Sequence, residues 1–298
     1  MKFSKPYMTF AEQIAILESR GLTFGDKSEA ARFLSYTNYY RLTGYLIPYE
    51  SRRDCILPGT TFEMVRSLYE FDRRLRSLVM EAISVIEIFV RTKIVVSLAE
   101  RHGPFAHLVP AIFYSREKFE DWHEHICDET LRSQETYVRH FKQKYEEWPN
   151  LPIWVVIELM TFGSVSWLFK ILLCKEQKKV ACHFSLHAPV LESWLHALSY
   201  VRNLCAHHSR FWNREMSIKP EILKYPSWHF FDDPMYGKKP FCILTIIRHL
   251  LEIVVSRTEM DIGWHERILK LLNTSPSVPR FERNMGIPPG WRQSSLWV

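Results

Sequence analysis

The stretch 191–214 carries the side chains best suited to chemistry on a phosphate. It reads LESWLHALSYVRNLCAHHSRFWNR and places Arg202, Asn203, His207 and His208 within about two helical turns. The planar guanidinium of arginine binds phosphate oxygens through paired hydrogen bonds, and histidine exchanges a proton near neutral pH. Such a set could break an RNA phosphodiester without a metal ion, provided that the fold gathers these groups into one site.

The same side chains permit two other interpretations. They could bind a structured RNA without cleaving it, or they could be polar groups that pair within the fold. An arginine followed by four to six residues and a histidine also occurs at Arg101–His107 and Arg116–His123, so the spacing alone discriminates poorly. Only Arg202–His207 falls on a strongly amphipathic helical pattern, which favours this stretch as the site.

A helix predicted over residues 189–208 separates these side chains by direction, at about 100° per residue. One stripe should face the core, and its residues are Leu191, Trp194, Leu195, Leu198 and Cys205. An outward polar stripe contains Glu192, His196, Ser199, Asn203 and His207. Arg202 projects into the apolar stripe, and a buried guanidinium needs an acceptor. We therefore expect Arg202 to pair with Glu87.

Helical periodicity dominates the chain and predicts an all-α protein. The 298 residues include only 10 glycines and are 47% hydrophobic, which favours helices with a substantial core over a turn-rich β fold. The pattern divides into an N-terminal helical region (1–50) that packs on the core, a helical domain (60–272) and a C-terminal tail (273–298). Residues 102–150, which are polar and mixed, form a helical insertion within that domain.

A long helix is predicted from about Phe62 to Arg101, capped by a threonine at 60 or 61. From Val85 onward it is apolar almost all round, so we expect this half to be buried. Glu87 and Arg91 lie four residues apart within it and can form an ion pair on one face. That pair is either purely structural or a support for a catalytic group.

Shorter signals place the remaining elements. Thr9 and Glu12 form a capping-box pattern at the start of the first helix. The segment NYYRLTGY (38–45) sets clustered tyrosines beside an arginine. Such tyrosines can stack on bases, but packing between helices is the more common role and is the one favoured here. The tail should be an extended strap anchored by Trp291 and Trp297.

Charge and cysteine usage narrow the function classes. The formal net charge of +6 is compatible with a nucleic-acid partner but is weak evidence for one. The six cysteines form no CxxC pair, and no metal site or cofactor is expected. No apolar run reaches the roughly 18 residues of a membrane span, and no secretory leader pattern opens the chain. A cytoplasmic protein with reduced thiols is expected.

Four segments in order carry a family resemblance. They are KPYMTFAEQIAILESRGL (5–22), NYYRLTGY (38–45), IEIFVRTKI (86–94) and YVRNLCAHHSRFWNR (200–214). Together they resemble the Abi-like (AbiD/AbiF) abortive-infection proteins of bacteria. The resemblance implies a HEPN-type helical bundle, so the domain 60–272 is expected to be HEPN-like. It also implies a metal-independent ribonuclease that acts on single-stranded RNA as a toxin in anti-phage defence.

The resemblance also implies roles for individual residues and partners. Arg202, Asn203 and His207 match the catalytic positions of the HEPN motif, and His208 and Arg210 extend the Abi-specific version and would support the site or bind RNA. The resemblance implies three partners, which are an RNA substrate, a structured non-coding RNA antitoxin and a second copy of the chain. A homodimer also makes chemical sense, because one histidine cannot conveniently act as base and acid on opposite sides of an in-line attack.

Overall fold

The fold is organised on one helix of 41 residues, which begins where the Thr61 side chain accepts a hydrogen bond from the backbone N–H of Met64. The computed structural model describes residues 6–298, so the first five residues of the predicted N-terminal region lie outside the described residues. The α-helices are α1 (Phe10–Ser19), α2 (Lys27–Thr37), α3 (Tyr39–Leu46), α4 (Phe62–His102), α5 (Arg116–Arg132), α6 (Thr136–Lys144), α7 (Ile153–Leu159), α8 (Phe162–Ile171), α9 (Cys174–Cys182), α10 (Ala188–Ala206), α11 (Pro234–Gly237), α12 (Pro240–Thr258), α13 (Trp264–Asn273) and α14 (Phe281–Met285).

The all-α prediction is confirmed. The described residues contain one small antiparallel hairpin of β1 (Glu50–Arg52) and β2 (Cys55–Ile56). Short 3₁₀ turns connect the helices, and they lie at Ile47–Tyr49, Ala106–Leu108, Pro110–Ile112, Pro226–Asp232 and Trp291–Gln293.

Helix α4 is the central element of the core. It packs against α10, α12 and α13, and also against α3, α7 and α9. Leu75, Val79 and Ile83 are fully buried, as their helical spacing predicts. The expectation that α4 is buried all round after Val85 is wrong, because Ile88 is 65% exposed and Val96 is 45% exposed. The neighbouring helices cover one side of α4 and leave this stripe in solvent.

The N-terminal helices pack on one end of α4. The capping box at Thr9 and Glu12 is confirmed, since each side chain accepts from the backbone N–H of the other residue. Helix α1 packs on α2, and α3 packs on α4. Asp26 caps α2 through the N–H of Ser28. This chain of contacts carries the 38–45 segment to the side of α4.

The insertion and the tail complete the fold. Helix α5 packs on α7 and α8, with Trp122 and Ile126 buried and its polar face exposed. In the tail, both predicted anchors are confirmed, because Trp291 and Trp297 are buried. The Trp297 Nε1–H donates to Thr245 Oγ1 at 3.1 Å. The tail is less extended than predicted, since α14 interrupts it. The segment boundaries proposed from the sequence stay a prediction.

Candidate functional site at the end of helix α10

Helix α10 ends two residues earlier than predicted. Its last residue is Ala206, and His207 is the C-cap. The His208 N–H donates to Cys205 O, and the Ser209 N–H donates to Leu204 O, both at 3.0 Å. This pair of bonds is a Schellman motif, and it requires a left-handed residue after the cap. His208 takes that place with φ of 54°, a conformation in which histidine is enriched among non-glycine residues.

The early end of α10 turns both histidines into solvent. His207, His208 and Asn203 are exposed, and Arg202 is half-buried. The Arg202 Nη1 donates to Asn203 Oδ1 at 3.2 Å, and the His207 N–H donates to Asn203 O at 3.0 Å. Three of the predicted site residues therefore lie together in the last turn and cap of one helix.

The prediction that Arg202 turns inward to Glu87 is wrong. Glu87 pairs with Arg91, whose guanidinium also donates to the carbonyls of Ile157 and Met160. Arg202 stays half-exposed and pairs with Asn203 instead. Long arginine side chains can leave an apolar stripe through their aliphatic stem and keep the charged end at the surface. Ser199 departs from the prediction in the other direction, because it is buried beneath the expected outward face.

Glu87 and Arg91 form a structural contact between α4 and α7, and the support of a catalytic group by this pair stays a prediction. Arg91 is 8% exposed and holds the C-terminal end of α7 against α4 through the two carbonyls. A buried guanidinium needs such partners, since an uncompensated buried charge costs roughly 3–5 kcal/mol. Neither Glu87 nor Arg91 lines the cavities beside His207 and His208.

A buried carboxylate fixes the chain directly after the histidines. Asp72, on α4, is fully buried and accepts hydrogen bonds from the backbone N–H groups of Phe211 at 3.1 Å and Trp212 at 2.7 Å. It also accepts from Tyr45 Oη at 2.6 Å and pairs with Arg76. Burial raises the pKa of the Asp72 carboxyl, while Arg76 and these donors favour its charged form. Asp72 thus joins α3, α4 and the segment that leaves α10.

Two arginines lock the same segment to α3. The Arg41 guanidinium donates to His208 O. In the opposite direction, the Arg210 guanidinium donates to Gly44 O. Burial lowers the pKa of Arg210, but an arginine remains charged at neutral pH. The predicted support role of Arg210 therefore has a physical basis, because it positions the turn that carries His207 and His208.

Two adjoining cavities open beside this turn. The first has a volume of about 690 Å³, and its lining includes Arg41, Arg73, Arg76 and His208. The second, of about 560 Å³, is lined by Arg41, Arg214, His207 and His208, among others. The cavities share Arg41 and His208. The exposed guanidinium groups of Arg41, Arg73 and Arg214 can attract a polyanion, whereas Arg76 is buried against Asp72.

Sequence reasoning missed several residues of this surface. Arg41, Arg73, Arg76 and Asp72 were not proposed for the site. Arg41 belongs to one of the four family segments, and an arginine within a tyrosine-rich motif was an available signal. The DRRLR run at 72–76 offered a second signal, because residues three or four apart share a helix face.

Residues 6–298 hold no group of three or more His, Cys, Asp or Glu side chains placed to ligate a metal ion. The helices in this range also include none with both the length and the apolar character needed to cross a membrane.

The fold and the site define a helical protein with an arginine-lined cleft at an Arg–Asn–His helix end. The family model described as Abi-like protein matches residues 32–213 of the chain. This match includes the second half of α2 and all of α3, α4, α10 and the turn at His208. The chain therefore belongs to the Abi-like family, whose name associates it with abortive infection. Neither curated proteins nor solved structures gave a significant match.

Proposed function

We propose that this protein is a metal-independent endoribonuclease of HEPN type, which acts in the cytoplasm as the toxin of an anti-phage abortive-infection system. The observation that carries the proposal is the joint placement of Arg202, Asn203 and His207 at one helix end. That end borders cavities lined by arginines. The arrangement offers a proton-transfer group beside several phosphate-binding cations, which is what cleavage of a single-stranded RNA requires.

The proposed reaction uses the ribose 2′-hydroxyl as nucleophile. His207 takes the 2′-OH proton, and the 2′-oxygen attacks the adjacent phosphorus. The bond from phosphorus to the 5′-oxygen breaks, and that oxygen receives a proton from a general acid. The products are a 2′,3′-cyclic phosphate and a 5′-hydroxyl. Arg202 stabilises the negative charge that develops on the phosphoryl oxygens, and Asn203 orients the helix end through its contacts with Arg202 and His207.

A homodimer supplies the general acid in this proposal. The acid must stand opposite the base in an in-line displacement, and His207 of a second copy can take that place. A structured non-coding RNA would restrain the toxin by occupying the same cationic cleft. The cleft supports such a partner because its arginines contact phosphates irrespective of sequence.

Cleavage of a labelled single-stranded RNA in the presence of EDTA tests the proposal. Wild-type protein should produce 2′,3′-cyclic phosphate and 5′-hydroxyl ends, and His207→Ala should reduce cleavage by a factor of 100 or more, on the order expected for loss of general acid–base catalysis. His196→Ala is a matched control, because His196 is exposed on α10 three turns earlier. The corresponding DNA should remain intact, since it lacks the 2′-hydroxyl.

Two results would refute this mechanism. One is undiminished cleavage by His207→Ala, and the other is a requirement for added magnesium.

A second candidate function is RNA binding without turnover, which the same arginine-rich cleft supports. In that case the RNA co-purifies or binds tightly, stays intact on incubation, and no cyclic phosphate forms.

A further inference from the structure

A third cavity, rich in aromatic side chains, lies beside the two arginine-lined cavities. It has a volume of about 690 Å³ and is formed where the chain entering α1 meets the junction of α2 and α3. Tyr7, Tyr36 and Tyr40 line it and are 84%, 67% and 76% exposed. Phe10, 38% exposed, and Tyr39 complete its aromatic wall. Such a volume lies within the range of about 300–1,000 Å³ that holds one small ligand.

The aromatic cavity adjoins both arginine-lined cavities. It shares Tyr36 with the cavity that contains Arg73 and Arg76. It shares Asn38 and Tyr40 with the cavity that contains His207. The Asn38 side chain accepts from the Tyr40 N–H at 2.9 Å and so fixes the start of α3. Exposed aromatic rings and the exposed guanidinium groups of Arg41 and Arg73 therefore lie within one short stretch of surface.

We propose that this aromatic cavity is a nucleobase subsite, which takes an unstacked base of the same single-stranded RNA whose neighbouring phosphate lies at Arg41. The inference rests on the proposed function in that it takes RNA as the ligand of the adjoining cleft. It adds a role that the proposed catalytic residues do not have. The subsite holds the strand beside the helix end and reads a base next to the cleaved bond.

The physical argument begins with the exposed phenol rings. A ring in solvent presents its π-face, on which any base can stack, and each stacked base strengthens binding about 5- to 150-fold. Aromatic surface that no ligand or partner covers is unfavourable in water. The predicted packing role holds for Tyr45, which is 2% exposed, but not for Tyr40. The tyrosines of 38–45 therefore divide between the core and this surface.

The hydroxyl groups add a means of discrimination. A phenol ordinarily ionises only near pH 10, so Tyr36 and Tyr39 are neutral at physiological pH and do not repel a phosphate. Partial burial raises the pKa of both further. A neutral phenol donates and accepts hydrogen bonds, which allows the cavity to favour some base edges over others. Single-stranded RNA is the nucleic acid whose bases are free to enter such a cavity.

Photocrosslinking of the wild-type protein tests the subsite without any change to the fold. A short single-stranded RNA with 5-iodouridine at successive positions is irradiated with the full-length protein in EDTA, and the crosslinked peptides are sequenced. We expect crosslinks at Tyr36, Tyr40 or Tyr7. Crosslinks confined to peptides outside residues 6–40 would overturn the proposal.

Binding measurements give the second test. Fluorescence anisotropy with labelled hexanucleotides of rA, rC, rG and rU uses a His207→Ala background, so that no RNA is cut. Tyr36→Ala and Tyr40→Ala should each weaken binding by about 5- to 150-fold and alter the order of preference among the four. Tyr40→Phe should retain affinity, because the stacking face remains. Tyr225→Ala is the matched control, since Tyr225 is 60% exposed and lines none of the three cavities.

Salt dependence separates stacking from charge. Arg41→Ala should reduce the slope of log K against log salt by about 1, and Tyr36→Ala should leave it unchanged.

If the tyrosine variants bind every RNA as well as the parent does, the subsite is refuted while the nuclease proposal stands. If tyrosine-dependent binding occurs without cleavage by the wild type, the nuclease proposal fails and the subsite stands. Tyrosine variants that change only self-association would assign the surface to protein contact and overturn the subsite.

Discussion

The buried carboxylate of Asp72 is the contact on which the site most depends, and Asp72→Ala is the perturbation that tests it. The side chain of Asp72 is fully buried, and that of its partner Arg76 is 7% exposed. Removing one member of a buried ion pair leaves an uncompensated charge and costs roughly 3–5 kcal/mol. The Phe211 and Trp212 N–H groups lose their acceptor as well. We therefore expect the free energy of unfolding to fall by at least roughly 3 kcal/mol, from a total of roughly 5–15 kcal/mol.

The assay is urea unfolding followed by circular dichroism, with RNA cleavage measured in parallel below the transition. Cleavage should fall even in folded Asp72→Ala protein, because the segment after His208 loses its anchor to α4. The control is Glu70→Ala, which breaks the exposed Glu70–Arg73 pair on the same helix. Exposed pairs contribute about 0–1 kcal/mol, so this variant should remain close to wild type in stability.

A double variant separates charge from packing. Asp72→Ala combined with Arg76→Met removes the lone buried cation, so the loss of stability should be smaller than the sum of the two single losses. A loss below about 1 kcal/mol for Asp72→Ala alone would refute the reasoning. If the double variant loses as much free energy of unfolding as the two single variants together, the ion pair with Arg76 does not account for the contribution of Asp72 to stability.

Three further predictions follow from particular residues. His208→Val should lower the free energy of unfolding by roughly 1–3 kcal/mol, because a β-branched residue resists positive φ, whereas His208→Gly should stay within about 1 kcal/mol of wild type; equal stabilities of the two variants in urea would contradict the Schellman assignment. Burial lowers the pKa of His107 to about 4, so the fold prefers the neutral imidazole and the contribution of this group is complete above pH 6.5 and declines as pH falls towards 4. The free energy of unfolding should fall by up to about 3 kcal/mol over that interval. In His107→Leu the free energy of unfolding should depend less on pH between 6.5 and 4, and an unchanged dependence would show that His107 is not its cause. Glu87→Gln should lower the melting temperature through Arg91 but leave RNA cleavage per folded molecule unchanged, and a large fall in cleavage at constant stability would restore a role for Glu87 in the site.

Local sequence signals predicted most helices well. The capping box at Thr9 and the threonine cap at the start of α4 depend on residues three apart, which the sequence displays directly. The core stripe of α10 followed from its 3.6-residue period, and Trp194, Leu195 and Leu198 are all buried. The exception was the end of α10. Glycine is the usual signal for a Schellman motif, and the histidine at position 208 does not predict one.

The placement of charges was predicted poorly. Helical direction alone pointed Arg202 inward, and Glu87 was the acceptor that the sequence suggested. The periodicity of one helix fixes the direction of a Cα–Cβ bond, but it does not fix where a long flexible side chain ends. The nearer partners, Arg91 for Glu87 and Asn203 for Arg202, prevailed because both lie on the same helix as the group they contact.

The sequence by itself determined that this protein is helical, that α10 buries one stripe, and that Asn203 and His207 share a face near its end. Those properties depend on residues close in the chain. Only the tertiary structure decided what surrounds them. Asp72 meets Phe211 across 139 residues, and Arg41 meets His208 across 167. Contacts at such separations depend on how whole helices pack around α4, and no local periodicity encodes that packing.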